Sequence, residues 1–429
     1  MSELVEIIGG VPLRGEVQIG GAKNASLPLL IASLLTSEPC EFRNVPNLQD
    51  VNLTIRLLEH CGAEVSRDGG IIRVSAPKIT AEEASYSLVK ALRASFWVLA
   101  PLLARGGSAR VALPGGDAIG TRPVDIHLAA LTEMGADIKL SHGVVFAEAP
   151  RGLRPAKVHF RFPSVGATHQ IMMAAALVGG TTVISGAARE PEIEALAAML
   201  AGMGAEVVGA GTDTISITGR SDLGGTTVNL MGDRIEAGTY LLAGVATGGA
   251  VTAQGVVPAH FGTFLDILTD MGCDVSSTLN SVSVKRSGEL KPVSVTTAPF
   301  PGFATDLQAP LMAALTVASG VSTIEEAIYE ARFTHVSELC RMGAQISVSE
   351  RTATITGVPR LNGAPVEGFD IRAAAALVIA GCAAEGRTTI HEPHHLRRGY
   401  EYLEEKITKL GGRIMKKKVD PEDFILSGC

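Results

Sequence analysis

Lysine, arginine and aspartate recur at two fixed places along this 429-residue chain, and the types chosen suit the chemistry of anions. One set lies about 37–42 residues ahead of six evenly spaced glycines: Lys23-Asn24, Arg93, Ser164-Val165-Gly166, Asp233-Arg234, Asp306 and Arg372. The other lies in later loops: Gly115-Gly116-Asp117 through Arg122, Arg189-Glu190-Pro191, Arg332 and Arg397-Arg398. Guanidinium presents a planar fork that matches phosphate and carboxylate, and lysine adds a compact positive charge. The combination points to a polyanionic small molecule held in a cleft. Taken singly, each residue has a plainer role. An arginine is ordinarily a solvated surface group, an aspartate at a helix start a cap, and Asp117 after Gly-Gly a turn former. Recurrence at equivalent points is what lifts the set above that.

The frame that positions them is a sixfold repeat. Gly62, Gly135, Gly204, Gly272, Gly343 and Gly411 are 73, 69, 68, 71 and 68 residues apart. Each follows an apolar residue and precedes a small one, a polar one and then Val or Ile, as in Met342-Gly343-Ala344-Gln345-Ile346. Such a glycine suits the left-handed residue that ends a helix before a strand. Upstream come a β-rich run, as in Gly180-Thr181-Thr182-Val183-Ile184, and before it an Ala/Leu/Met-rich helix such as 170–177. Each repeat therefore reads strand, helix, strand, helix. The first twenty residues match the start of a repeat without its helix, and the last helix, 400–410, lacks a following repeat. The termini are expected to meet in one domain. Helices such as 373–380 have no polar face, so they belong inside. This predicts an α/β protein with sheets outside, helices inside and three repeats per domain, in preference to the alternative, a gene-duplicated doubly wound α/β protein. Helix starts gathered at one end would add free N–H groups to the anion site.

Composition narrows the partners. Lys and Arg number 37 against 44 Asp and Glu, a net charge of −7, and aromatics are 4% with Trp97 alone of its kind. A nucleic-acid or anionic-membrane binder would be basic, and a single-strand binder would need stacking platforms. The start, Met1-Ser2-Glu3-Leu4-Val5-Glu6, is acidic where a secretory signal is basic, and no apolar run reaches the ~20 residues of a spanning helix. Six cysteines lie far apart without a CxxC pair, which suits reduced thiols in a soluble cytoplasmic protein. His391-Glu392-Pro393-His394-His395 spells a zinc motif, but Pro393 denies its histidines a common helical face. No phosphate-binding P-loop, dinucleotide fingerprint or nucleophile elbow is present. Met134, Met203, Met271 and Met342 share one helical position and read as core packing.

Specific motifs then identify a resemblance that runs from about Val5 to Leu410. They include Gly21-Ala22-Lys23-Asn24-Ala25, Leu113-Pro114-Gly115-Gly116, Arg122-Pro123-Val124-Asp125, Ser164-Val165-Gly166-Ala167-Thr168 and Asp233-Arg234-Ile235-Glu236-Ala237-Gly238. Thr305-Asp306-Leu307-Gln308 and Arg398-Gly399-Tyr400-Glu401 belong with them. The chain resembles the UDP-N-acetylglucosamine 1-carboxyvinyltransferases, which open peptidoglycan precursor synthesis. The resemblance implies two inside-out α/β barrel domains, 23–231 and 1–22 with 232–429, an active site in the cleft between them, and closure hinged near Ala22 and Met231. The implied substrates are phosphoenolpyruvate and UDP-N-acetylglucosamine, with no metal or organic cofactor.

By that likeness Asp306 is the base on the sugar hydroxyl and Asp117 the proton donor. Lys23, Arg122 and Arg398 are the phosphate-side clamp, with Arg332 and Arg372 completing a cationic pocket. Arg93, Arg122, Pro123, Val124, Asp125, Ile126, Ser164, Val165, Gly166, Asp306 and Ile328 match positions that hold the UDP-sugar, and Asn24 lines the junction. Three positions depart from the family. Asp117 stands where many members have Cys, and as a proton donor it needs a pKa raised by burial or a neighbouring anion. Phe162 replaces a frequent Lys before Ser-Val-Gly, so one diphosphate contact is either lost or supplied by Arg161, and Phe300 replaces a frequent His. The rival readings are the shikimate-pathway enolpyruvyl transferase, whose Asp-Lys-Ser motif is replaced here by Lys23-Asn24-Ala25, and a catalytically idle UDP-sugar sensor.

Overall fold

The computed structural model describes residues 2–81, 83–84, 89, 92–115, 119–120 and 123–419. One repeat shows the plan. The strand Gly180–Ser185 pairs in parallel with Lys157–His159 and antiparallel with Thr214–Gly219, which pairs in turn with Glu206–Val208. Alternation sorts the side chains: Ile215 and Ile217 point inward and are fully buried, while Thr214 is exposed. Among the described residues this four-stranded arrangement, with one parallel and two antiparallel pairings, occurs six times. The six sheets remain separate, so no closed hydrogen-bonded barrel forms among the described residues.

By packing, the described residues fall into two compact units. One, the split unit, contains 2–20, 119–120 and 232–419; the other, the middle unit, contains those of 21–115 and 123–231. Each unit takes its last sheet from distant parts of the chain. In the middle unit Thr227–Asn229 lies parallel to Cys40–Arg43. In the split unit Arg14–Gln18 lies parallel to Ala250–Gln254. There too Ser2–Ile8 lies between Arg387–His391 and Arg413–Val419, with Ser2 opposite Val419 and Ile8 opposite Arg413. The two ends of the described chain thus share a sheet, which supplies each with the repeat partner it lacks in sequence.

Helices without a polar face fill the interiors. In the split unit the helices Arg234–Ala246, Gln308–Leu315 and Ile371–Ala383 pack on one another. Every residue of the first two is buried, as is Ile371–Cys382 of the third. Each unit has its own apolar cluster, one reaching from Ala22 to Leu230 and the other from Val5 to Ile414.

The six repeat glycines all have positive φ, from 86° at Gly272 to 109° at Gly204. After Gly62 the chain closes a Schellman turn, with the Ala63 N–H donating to Leu58 O at 3.0 Å. Gly135, Gly204, Gly343 and Gly411 are followed by the same bond. The four repeat methionines precede such glycines and are buried. The five described cysteines are free thiols, and no helix among the described residues is long and apolar enough to cross a membrane.

Candidate active site

In the split unit, the inner helices open with charged residues that meet. Asp306 lies in the short helical turn Thr305–Leu307 that leads into Gln308–Leu315. Arg372 is the second residue of Ile371–Ala383. Asp370 caps that helix, accepting the backbone N–H groups of Arg372 and Ala373 at 2.8 and 3.0 Å. Arg332 comes from the loop after the strand Val321–Glu325. Arg332 Nη2 donates to Asp306 Oδ1 at 2.7 Å, and Arg372 Nη2 donates to Oδ2 at 2.8 Å. The Arg332 and Arg372 side chains are only 7% and 4% exposed, but that of Asp306 keeps 24%. Burial works against the charge of both guanidiniums, and Asp306, helped by Tyr329 and Asp370 at Arg332 and by Tyr400 and Asp233 at Arg372, more than offsets it, holding each above the usual arginine range. Two guanidiniums thus grip one carboxylate that solvent still reaches. Such a cluster can receive an anion and still present a base.

The surroundings lock this triad. Arg372 Nη1 donates to the Tyr400 hydroxyl at 3.0 Å, and that oxygen lies 3.0 Å from Thr239 Oγ1. Arg332 Nη1 donates to Thr305 Oγ1 at 2.8 Å, and its guanidinium lies 5.3 Å from the Tyr329 ring centroid. Of the other expected residues of this unit, Ile328 is half-buried with its N–H on Glu326 Oε1, and Arg398 is half-buried in the His394–Gly399 helix. Phe300 lies under the Arg234 guanidinium, 5.5 Å from centroid to carbon. His391 ends a strand and His394 opens a helix, so they share no helical face. Among the described residues no group of three or more His, Cys, Asp and Glu could hold a metal ion.

In the middle unit, Lys23 opens the Lys23–Ala32 helix, buried, with its ammonium 3.5 Å from the buried Asp50 carboxylate. Asn24 beside it is half-buried. Arg93 starts a 3-10 turn and donates to the Pro123 carbonyl at 3.4 Å. Val124 and Asp125 begin the Asp125–Glu133 helix, which contains the half-buried Ile126. Arg161 is paired with Asp125, while Phe162 is exposed. Ser164 caps Val165–Ala176 through the Ala167 N–H at 3.2 Å. Trp97 Nε1 donates to the Gly166 carbonyl at 2.9 Å, and the Trp97 ring meets His169 edge-on at 5.1 Å. Asp117 and Arg122 lie outside the described residues. Between them Ile119 accepts the Ala331 N–H at 3.1 Å, one residue before Arg332.

Sequence reading missed Asp50, Glu326, Asp370, Tyr400 and the buried His127 and His169. Asp370 carried a usable signal, since it precedes a helix-start arginine much as Asp233 precedes Arg234. Glu326 carried none; it looks like a second acid after the exposed Glu325.

The chain has relatives over nearly its whole length. The family model for EPSP synthase (3-phosphoshikimate 1-carboxyvinyltransferase) matches residues 7–407. A UDP-N-acetylglucosamine 1-carboxyvinyltransferase of Rhizobium leguminosarum bv. trifolii is 50% identical over 422 residues, covering 96% of this chain and 98% of its own. The crystal structure of the enolpyruvyl transferase NikO from Streptomyces tendae superposes with a TM-score of 0.88 at 28% identity, covering 98% of this chain and 100% of that one. An EPSP synthase from Acinetobacter baumannii, at 18% identity and TM-score 0.76 over 97% of this chain and all of its own, shares the fold. With half its residues identical over nearly the whole length, the chain belongs to the EPSP synthase family and, within it, to the UDP-N-acetylglucosamine 1-carboxyvinyltransferases.

Proposed function

We propose that this protein transfers the enolpyruvyl group of phosphoenolpyruvate to the 3-hydroxyl of UDP-N-acetylglucosamine, releasing phosphate, as the first committed step of peptidoglycan precursor synthesis in the cytoplasm. The observation that carries the reading is the Asp306 carboxylate gripped by Arg332 and Arg372, partly open to solvent, in a chain half identical to enzymes of that name.

The chemistry assigns a task to each group. Asp306 takes the proton of the sugar hydroxyl as its oxygen attacks C2 of phosphoenolpyruvate. Asp117 delivers a proton to C3, giving a tetrahedral intermediate that still carries phosphate. C3 then returns a proton to the Asp117 carboxylate as the C2–O bond to phosphate breaks, phosphate leaves with the proton taken up by Asp306, and the C2–C3 double bond is restored in the enol ether product. Lys23, Arg122 and Arg398 neutralise the departing phosphate, and Arg332 and Arg372 keep the pocket cationic. Asn24, Arg93, the 123–126 turn, Ser164–Gly166 and Ile328 hold the UDP-sugar.

Phosphate release from phosphoenolpyruvate decides the substrate. Release that depends on UDP-N-acetylglucosamine supports the reading; release with shikimate 3-phosphate instead, or binding of the UDP-sugar without release, overturns it. A carboxylate is a poorer soft nucleophile than a thiolate, so the wild-type enzyme should resist the epoxide fosfomycin and Asp117→Cys should become sensitive. Stoichiometric inactivation of wild type would contradict the assignment at Asp117.

A further inference from the structure

Glu326 is fully buried, and no step of the proposed reaction uses it. Its Oε1 accepts from Thr297 Oγ1 at 2.9 Å and from the N–H groups of Ile328 and Tyr329 at 2.9 and 3.1 Å. Its Oε2 accepts from Thr305 Oγ1 at 2.8 Å. A hydroxyl has one proton to give, and that of Thr305 goes to Glu326. The lone pairs of the same oxygen are left to accept Arg332 Nη1 at 2.8 Å. The other amino group of Arg332 holds Asp306 Oδ1 at 2.7 Å. Hydrogen bonds therefore run in one direction, from Arg332 through Thr305 to Glu326, and the same guanidinium orients Asp306. A carboxylate accepts without donating, so it is the terminus that imposes this direction.

We infer that Glu326 is a positioning residue for enolpyruvyl transfer: by accepting the Thr305 hydroxyl it sets the orientation of Arg332 and so of the Asp306 carboxylate. Its grip on the Ile328 N–H fixes the turn beside them. The inference rests on the proposed reading of Asp306 as the base.

Glu326→Gln keeps the shape, and its amide oxygen can still serve Thr297, Ile328 and Tyr329. Its amide nitrogen then faces Thr305 as a donor, so the hydroxyl meets donors on both sides and the relay is broken. Steady-state phosphate release should show kcat about tenfold lower or less, since small losses of orientation at reacting groups are costly, with KM for phosphoenolpyruvate within about twofold of wild type. Thr305→Val should lose as much, and Thr305→Ser should recover most of it. Because both changes cut one relay, the double variant should be no slower than the slower single. Wild-type kcat in Glu326→Gln, losses that multiply in the double variant, or failure of Thr305→Ser to recover would each overturn the inference. A role in folding alone would lower the melting temperature without this pattern. Should Glu326→Gln not fold, the Thr305 pair decides by the same recovery. Wild type inactive with UDP-N-acetylglucosamine would remove the functional reading and the inference together, whereas an active wild type with an equally active Glu326→Gln removes the inference alone.

Discussion

Two buried polar clusters, one in each unit, differ in character. The split unit encloses Arg332 and Arg372 around Asp306, all three in ion pairs. The middle unit encloses His127 and His169 against Phe96 and Trp97, edge to face. Burial pushes the His127 imidazole down to about 3, with Arg93 adding to it and Gln170 and Asp125 opposing. Burial likewise pushes His169 down to about 4, against a hydrogen bond to the Glu192 carbonyl. The same desolvation acts on both sets. It neutralises the imidazoles because no close anion outweighs it, and fails to neutralise the arginines because Asp306 and the acidic and phenolic groups around it together do. A charge survives burial here where partners close by compensate the solvent it loses, as Asp306 does for Arg332 and Arg372.

The largest break in the comparison is Asp306→Asn. It removes the base and strands two buried guanidiniums, so kcat for phosphate release should fall about 10²–10⁴-fold, the range expected for a lost general base. A loss under tenfold would separate the ion cluster from the chemistry. Acid should next expose the neutral set. The folded His127 binds its proton at about 3 against 6.5 for the free side chain, so the unfolded state takes up protons first as pH falls. Its contribution is intact above pH 6.5 and lost towards pH 3, on the order of 3–5 kcal/mol over the full window. Denaturant unfolding at pH 7.5 and 4.5 should show His127→Gln losing less stability on acidification than wild type; equal losses would refute the assignment. The smallest effect separates two helix-ending glycines. A Cβ at Gly411, φ 89°, meets nothing within 4 Å, whereas one at Gly62, φ 102°, falls 2.6 Å from Thr80 Oγ1 and 2.8 Å from Lys78 O. Gly411→Ala should cost about 1 kcal/mol, the backbone cost alone, with Gly62→Ala costing more. Equal costs would mean that the Gly62 surroundings yield freely.

The repeat frame was legible because its causes are local. A glycine that must take positive φ, as Gly343 does at 93°, and a helix apolar on every side, as Arg234–Ala246 nearly is, announce themselves in sequence. The site was legible in its residue types at helix starts. Its pairings were not. Asp306 meets partners 26 and 66 residues away, and Lys23 meets Asp50 in another helix. No spacing rule reaches that far, because such contacts depend on how helices and loops within and between repeats converge. Glu326 is the extreme case: beside the exposed Glu325, its burial follows only from the strand's end turning inward towards Thr297 and Thr305.

By itself, then, the sequence determined the sixfold periodicity, the inward helices, the family, and the arginines and aspartates placed at the helix starts. The periodicity and the inward helices follow from backbone sterics and hydrophobic burial, which act over a few residues at a time, and the family from its motifs. Only the tertiary structure decided which charges are neutralised and which imidazoles are stripped of theirs. It also decided which threonine hydroxyl links Arg332 to Glu326. Those outcomes depend on the solvent each group loses and on the partner that another part of the chain brings within hydrogen-bonding distance.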